Sequence, residues 1–145
     1  MKVAIGSDHA GFEVKEQIKG ILSELGIEAL DLGTNSTESV DYPEFGARVG
    51  KAVASGEAEQ GIVICGSGTG IAIAANKVKG VRAVQAWSEE VARLAREHND
   101  ANVIAIGARV LSSEQIDKII RAWFDASYEG ERHQRRVDKL ADLEI

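Results

Sequence analysis

Residues 61–70 read Gly-Ile-Val-Ile-Cys-Gly-Ser-Gly-Thr-Gly, a short apolar run that ends at Cys65 and passes directly into a glycine-rich turn. A run of this kind, bounded by turn residues, is typical of a strand buried on both faces of a parallel sheet. The backbone N–H groups of a glycine-rich turn after such a strand can converge on an anion. The stretch therefore predicts a buried strand with a thiol and an anion-binding turn at its carboxyl end.

Four other apolar runs share this character, and each of the five is followed by residues with helical spacing. The predicted strands are residues 3–5, 27–32, 61–65, 81–87 and 103–106. Strands that alternate with helices indicate successive βα units. The predicted fold is therefore α/β: a single-domain, three-layer α/β/α sandwich, Rossmann-like, with a five-stranded parallel sheet and a C-terminal helix.

The helix boundaries follow from local signals. The first predicted helix covers residues 11–25 and stops at Gly26, and the last covers residues 129–143. The starts of three others are marked by capping residues or proline: Asp41-Tyr42-Pro43, Ser88-Glu89-Glu90 and Ser112-Ser113-Glu114. A further helix after Gly70 is rich in alanine, and its small side chains permit close approach of a neighbouring element or subunit.

Length and composition limit the function classes. A chain of 145 residues suits one domain, residues 1–145, and a formal net charge of −6 argues against a broad nucleic-acid surface. A single cysteine excludes a disulfide framework, and no apolar run approaches the roughly 20 residues of a membrane span. The start of the chain runs straight into a strand pattern rather than a signal peptide, so we expect a cytoplasmic protein with a small ligand.

Polar residues collect at the carboxyl ends of the predicted strands, where ligands of open parallel sheets bind. Two nucleotide-binding motifs are incomplete in this chain. A dinucleotide fingerprint that starts at Gly66 requires glycine at position 71, which is Ile71. A phosphate loop that includes Gly11 requires Lys and a hydroxyl residue next, where the chain has Phe12-Glu13. His98 precedes the fifth strand and so belongs to the opposite end of its own βα unit. A neighbouring subunit could supply it.

Each candidate residue also has a structural interpretation. Cys65 alone is more often a small buried hydrophobe than a catalyst, and the adjoining glycine turn and helix start bring the two interpretations level. His98 suits the C-terminus of a helix. Tyr42 suits a partly buried aromatic position. Two further pairs have similar alternatives: Asp8 with His9 as a local N-cap, and Arg132 with Arg136 as a solvated helix face.

Six segments taken together resemble the B-type ribose-5-phosphate isomerases, in the family that also holds galactose-6-phosphate and allose-6-phosphate isomerases. The segments span essentially the whole chain: Ser7-Asp8-His9-Ala10-Gly11-Phe12, Asp41-Tyr42-Pro43, Cys65-Gly66-Ser67-Gly68-Thr69-Gly70, Asn76-Lys77, Arg96-Glu97-His98-Asn99-Asp100-Ala101-Asn102 and Tyr128-Glu129-Gly130-Glu131-Arg132-His133. The resemblance implies a metal-free, cofactor-free aldose–ketose isomerase that acts on a phosphorylated sugar. It also implies a homodimer with shared active sites, or a tetramer of two such dimers. The negative net charge and the short apolar runs predict no nucleic-acid or membrane partner.

The resemblance implies a role for each matching residue. Cys65 is the base that moves a proton between C2 and C1, and Ser67 shuttles protons among the sugar oxygens. His98 of a partner subunit opens the sugar ring, and Asp8 holds the substrate hydroxyls. The remaining residues bind the substrate: His9, Tyr42, Gly66, Gly68, Thr69, Gly70, Asn99, Arg109, Arg132 and Arg136. Some relatives carry glutamate a few residues after the cysteine, but residues 71–74 of this chain hold no carboxylate.

Two alternatives remain open from the sequence. One is the same chemistry on a six-carbon sugar phosphate, allose 6-phosphate or galactose 6-phosphate. The other is a module that binds a sugar phosphate without turning it over, which would need the arginines but not Cys65 as a base.

Overall fold

The computed structural model describes residues 1–145 and alternates strands with helices along the chain. The strands are β1 Lys2–Ser7, β2 Glu28–Asp31, β3 Gln60–Cys65, β4 Ala83–Gln85 and β5 Val103–Gly107. The helices are α1 Phe12–Glu24, α2 Tyr42–Ala54, α3 Thr69–Asn76, α4 Glu89–Asn99, α5 Ser113–Asp125 and α6 Arg132–Asp142, with a short 3-10 turn at His9–Gly11. None of these helices combines the length and the apolar character that a membrane crossing demands.

The five strands form one parallel sheet in the order β2-β1-β3-β5-β4. From β1 the chain goes to β2 on one side, and it then crosses back through α2 to β3 on the other side of β1. The carboxyl ends of β1 and β3 therefore flank the point where the strand order reverses, which is where open α/β sheets bind ligands. The register pairs Cys65 at the end of β3 with Gly107 at the end of β5.

The sheet is buried on both faces because its central strands are apolar on both. Ile62 and Ile64 face a core formed with α1, α4 and α5, whereas Val63 and Cys65 face a second core formed with α2 and α3. This three-layer arrangement confirms the predicted fold class. It also fixes the side of the sheet on which the thiol lies.

Most predicted boundaries agree with the structure, but those of β4 and the last helix differ. The last helix begins at Arg132 rather than at 129, because Gly130 and Glu131 have positive φ and lie outside the helical conformation. β4 has three residues instead of the seven predicted over 81–87, because only Ala83–Gln85 pairs with β5. Asp41 occupies the N-cap position of α2, but its carboxylate makes no capping hydrogen bond, so Pro43 in the first turn is the remaining start signal. Ser88 and Ser112 cap α4 and α5 as expected.

Candidate active site

Cys65 is the last residue of β3, and its side chain is only 4% exposed. It is the one cysteine of the chain and is unpaired. The backbone N–H of Gly68 donates a hydrogen bond to its Sγ at 3.2 Å. An amide that donates to sulfur stabilises negative charge there, so this thiol has a partner suited to its ionised form.

The turn from Gly66 to Gly70 presents its amides around that sulfur. Gly68 has φ of +84°, a left-handed conformation that favours glycine, and it forms the N-cap of α3. The Thr69 N–H donates a hydrogen bond to Ser67 Oγ at 3.2 Å. The N–H groups of Gly66, Ser67 and Gly70 donate to no protein acceptor. These free donors at a helix N-terminus are suited to bind an anionic oxygen.

Asp8 and His9 follow β1 at the same edge of the sheet. Asp8 is buried, and its Oδ1 accepts the Gly11 N–H at 3.1 Å, which caps the 3-10 turn. Nδ1 of His9 is held by Val40, whose N–H and carbonyl oxygen both lie 3.1 Å away. This leaves Nε2 of His9 as the ring nitrogen that can contact a ligand.

Tyr42 and Arg109 frame the glycine turn from two sides. A Cβ placed on Gly70 would lie 2.6 Å from the Tyr42 ring, so glycine is needed there for the ring to pack against the turn. Arg109 follows β5, and its N–H donates to the Gly66 carbonyl at 2.9 Å. A Cβ on Gly66 would lie 3.6 Å from Nη1 of Arg109, so this guanidinium borders the turn and brings positive charge to it.

A second group of predicted residues lies at the amino edge of the sheet. His98 is in the last turn of α4, next to the segment that enters β5, and its ring stacks on His133 of α6 with centroids 4.3 Å apart. Nε2 of His98 lies 3.8 Å from Glu129 Oε1, and Nε2 of His133 lies 3.5 Å from the same oxygen. Asn99 ends the same helix, and its carbonyl accepts from Arg82 Nε at 3.1 Å.

Arg132 and Arg136 lie one turn apart on α6, beside this stacked pair, and both are exposed. Burial of His133, together with the positive charges of Arg132, His98 and Arg136, lowers the pKa of that imidazole, although Glu129 acts in the opposite direction. His133 is therefore neutral near neutral pH. Cationic side chains on one face make this surface suited to a phosphate.

His98, Glu129 and His133 are also the one group of three potential metal ligands, with ligand atoms within 4.8 Å of one another. The two rings are stacked and inclined by 15°. Ring stacking and the contacts of both imidazoles with the Glu129 carboxylate hold this group together.

The structure thus divides the predicted site residues into two groups. Asp8, His9, Tyr42, the 66–70 turn and Arg109 meet at the carboxyl edge. His98, Asn99, Arg132 and Arg136 lie at the amino edge of the same chain. The length of β3, six residues, separates the edges by roughly 17 Å.

Two residues of these surroundings were missed in the sequence. His133 occurs in one of the quoted segments but received no role, because its stacking on His98 depends on how α6 packs against α4. No sequence pattern identifies Gln85 of β4 as part of the site. Its Nε2 donates to the Ser67 carbonyl at 2.9 Å, and its Oε1 accepts from Thr69 Oγ1 at 3.1 Å.

A parallel α/β sheet with a thiol and free amides at the switch point is an enzyme-like arrangement, and comparison with known proteins defines its class as an isomerase. Residues 3–140 match the family described as Ribose/Galactose Isomerase. The chain belongs to this family, and the resemblance to the B-type ribose-5-phosphate isomerases is confirmed.

Individual relatives match over nearly the whole chain. Ribose-5-phosphate isomerase B of Escherichia coli (strain K12) is 49% identical over 143 residues, which cover 99% of this chain and 96% of the relative. D-erythrulose-4-phosphate isomerase of Pectobacterium atrosepticum is 38% identical over 145 residues, which cover 99% and 95%. The solved structure of Clostridium thermocellum ribose-5-phosphate isomerase B has a TM-score of 0.98 at 49% identity, covering 99% and 97%.

The protein is therefore an isomerase, and the alternative of a sugar-phosphate-binding module without turnover is set aside.

Proposed function

We propose that this isomerase interconverts ribose 5-phosphate and ribulose 5-phosphate, with Cys65 as the base. The observation that carries the proposal is the hydrogen bond from the Gly68 N–H to Cys65 Sγ at 3.2 Å, at the head of a turn with free amides. The family and the substrate named for the Escherichia coli relative support the choice of a pentose phosphate.

The reaction needs a base and a group that stabilises an oxyanion. A hydrogen on the carbon next to a carbonyl is a weak acid, and its removal places negative charge on the carbonyl oxygen. In the aldose, the Cys65 thiolate takes the proton from C2, and the C1 oxygen becomes an enediolate oxygen beside the amides of the turn. The thiol then returns the proton to C1, while the proton of the C2 hydroxyl passes to the C1 oxygen. Ser67, exposed at this edge, is the hydroxyl that moves it.

Before this step the cyclic sugar must open, which requires a proton at the ring oxygen and loss of one from the anomeric hydroxyl. We assign this step to His98 and assign Asp8 to the sugar hydroxyls. His9, Arg109, Arg132 and Arg136 supply cationic groups for the phosphate, because guanidinium and imidazole N–H groups bind its oxygens directly. Tyr42 and Asn99 are assigned to further contacts with the sugar.

These assignments require two copies of the chain. Cys65 and His98 lie at opposite edges of one sheet, so a sugar bound at Cys65 can reach only the His98 of another copy. Exposed apolar side chains on α3 and near the C-terminus, including Ile73, Leu140 and Leu143, are available for contact between copies. We therefore propose a homodimer with two composite sites.

The test of the base is the variant Cys65→Ala. Removal of a general base lowers kcat by about 1,000-fold or more, and binding of ribose 5-phosphate persists because the phosphate contacts remain. Turnover is measured with a ketose assay and binding by calorimetry. Ser7→Ala is the matched control, since Ser7 also ends a central strand, but its Oγ is buried without a hydrogen-bond partner on the other face. Unchanged turnover in Cys65→Ala would reject the mechanism.

The length of the sugar is tested separately. One relative is named for a four-carbon substrate, and the family name includes a six-carbon one. Values of kcat/KM for erythrulose 4-phosphate, ribose 5-phosphate, allose 6-phosphate and galactose 6-phosphate are compared on the same preparation. We expect the highest kcat/KM for ribose 5-phosphate, and a higher kcat/KM for another sugar phosphate would contradict the choice of substrate.

A further inference from the structure

We propose that Gln85 is a positioning residue for Cys65, because it holds the Ser67–Gly68 peptide with its N–H directed at the sulfur. The inference rests on the proposed role of Cys65 as the base, and it assigns a function to an edge-strand residue outside the predicted site.

One peptide unit links the glutamine to the thiol. Its carbonyl oxygen, on Ser67, accepts from Gln85 Nε2 at 2.9 Å, and its N–H, on Gly68, donates to Cys65 Sγ at 3.2 Å. The peptide is planar, and in the trans form its C=O and N–H point in opposite directions. A side chain that fixes the oxygen therefore also fixes the direction of the hydrogen.

The orientation of the Gln85 amide is itself defined. Its Oε1 accepts a hydrogen bond from Thr69 Oγ1 at 3.1 Å, which places the NH₂ group on the side of the Ser67 carbonyl. Gln85 pairs with Ala105 of β5, and β5 lies between β4 and β3. The small side chain of Ala105 leaves room for the glutamine to reach across to the turn.

The hydrogen bond from Gln85 to the Ser67 carbonyl also has an electrostatic effect. A hydrogen bond to a peptide oxygen polarises the peptide and strengthens the bond that its N–H donates. The titratable or charged groups that neighbouring elements bring to this edge are Asp8 and His9 after β1, Tyr42 of α2 and Arg109 after β5. None of them contacts Gln85 by hydrogen bond, so a change at Gln85 leaves them in place.

The test uses Gln85→Met, a neutral side chain of similar length that cannot donate. Because Cys65 is the only cysteine, the rate of alkylation by iodoacetamide reports the thiolate of this residue alone. The loss of one oriented hydrogen bond slows alkylation near pH 7 by about 3- to 10-fold. The midpoint of the rate–pH curve moves to higher pH, while the plateau at alkaline pH is unchanged. The kcat falls by a similar factor, with KM little affected.

Two further variants complete the test. Gln17→Met removes a bond of the same type elsewhere, from Gln17 Nε2 to the Ser113 carbonyl at 3.1 Å, and leaves the curve of Cys65 unchanged. Thr69→Val releases the other end of the Gln85 amide and gives a shift in the same direction as Gln85→Met.

The inference is overturned if the Gln85→Met curve superimposes on that of the wild type, or if only its plateau changes. Alkylation does not depend on turnover, so this outcome is distinct from failure of the proposed function. If Cys65→Ala retained full activity while Gln85→Met shifted the curve, Cys65 would not be the base, but the link between Gln85 and the thiol would stand.

Discussion

His133 illustrates how the surroundings of one side chain set its charge. The ring is 6% exposed, its Nε2 has no hydrogen-bond partner, and its face stacks on His98. Burial is the main cause of its lowered pKa, and the nearby Arg132 adds to the effect. A neutral His133 ring can stack on His98 without charge repulsion, which fits the proposed role of His98 in ring opening.

The lowered pKa of His133 predicts a pH-dependent stability. In the unfolded chain a histidine titrates near 6.5, so below that pH the unfolded state binds more protons than the folded state. The contribution is fully present above about pH 6.5 and is lost as pH falls toward the folded pKa. Urea unfolding from about pH 5 to about pH 7.5 therefore shows a free energy of unfolding that rises with pH. His133→Gln gives a smaller slope, whereas Arg135→Gln on the same helix retains it; equal slopes for His133→Gln and wild type would contradict the explanation.

Helix α1 and strand β2 are joined by an ion cluster that is buried at its centre. The fully buried Lys15 places Nζ 2.6 Å from Asp31 Oδ2, and Lys19 Nζ lies 2.8 Å from the same oxygen. Burial acts to raise the pKa of Asp31, but the hydrogen bonds from Lys15, Lys19 and the Gly33 N–H outweigh it and lower the pKa. The cluster thus fixes the end of β2 and the loop that leads toward Tyr42.

This cluster predicts unequal costs for its two partners. Asp31→Asn leaves the buried Lys15 ammonium without a full counter-charge and lowers the free energy of unfolding by about 2–3 kcal/mol, below the range for a fully buried pair because Asp31 is partly solvated. Lys15→Met fills the same space without a charge and costs less, about 1 kcal/mol. The carboxylate contribution is present above about pH 3.9 and is lost as pH falls through the lower, folded pKa of Asp31. Denaturant titrations check the order, and a larger loss for Lys15→Met would contradict it.

Local sequence patterns were sufficient for the elements but not for their arrangement. The five strands and the caps at Ser88 and Ser112 follow from neighbouring residues, and so does the placement of Cys65 at the carboxyl edge. The position of β5 between β3 and β4 comes from long-range pairing, which also shortens β4 to three residues. Gln85 could not be found because a polar residue on an edge strand gives the same pattern whether it faces water or the Ser67 carbonyl.

The cationic side chains of α6 form a local cluster at one edge of the sheet. The chain carries a formal net charge of −6, yet Arg132, Arg135, Arg136 and Lys139 lie together on α6. The thiol and the free amides lie at the other edge of the sheet. Under the proposed function, these two groups are half-sites, each with part of the chemistry that a phosphorylated sugar requires.

Two half-sites on one chain predict complementation between inactive variants. In the proposed homodimer with composite sites, Cys65→Ala and His98→Ala each leave two defective sites. A mixed dimer combines one intact Cys65 with one intact His98 in one of its two sites. A purified mixed dimer therefore has about half of the wild-type activity, and the unpurified random mixture, in which half of the dimers are mixed, has about a quarter. Differently tagged subunits are refolded together, and the mixed dimers are purified before the assay. The control mixes Cys65→Ala with the double variant Cys65→Ala/His98→Ala. No subunit then carries Cys65, so no activity is restored. Inactive mixed dimers would show that Cys65 and His98 do not serve one shared site.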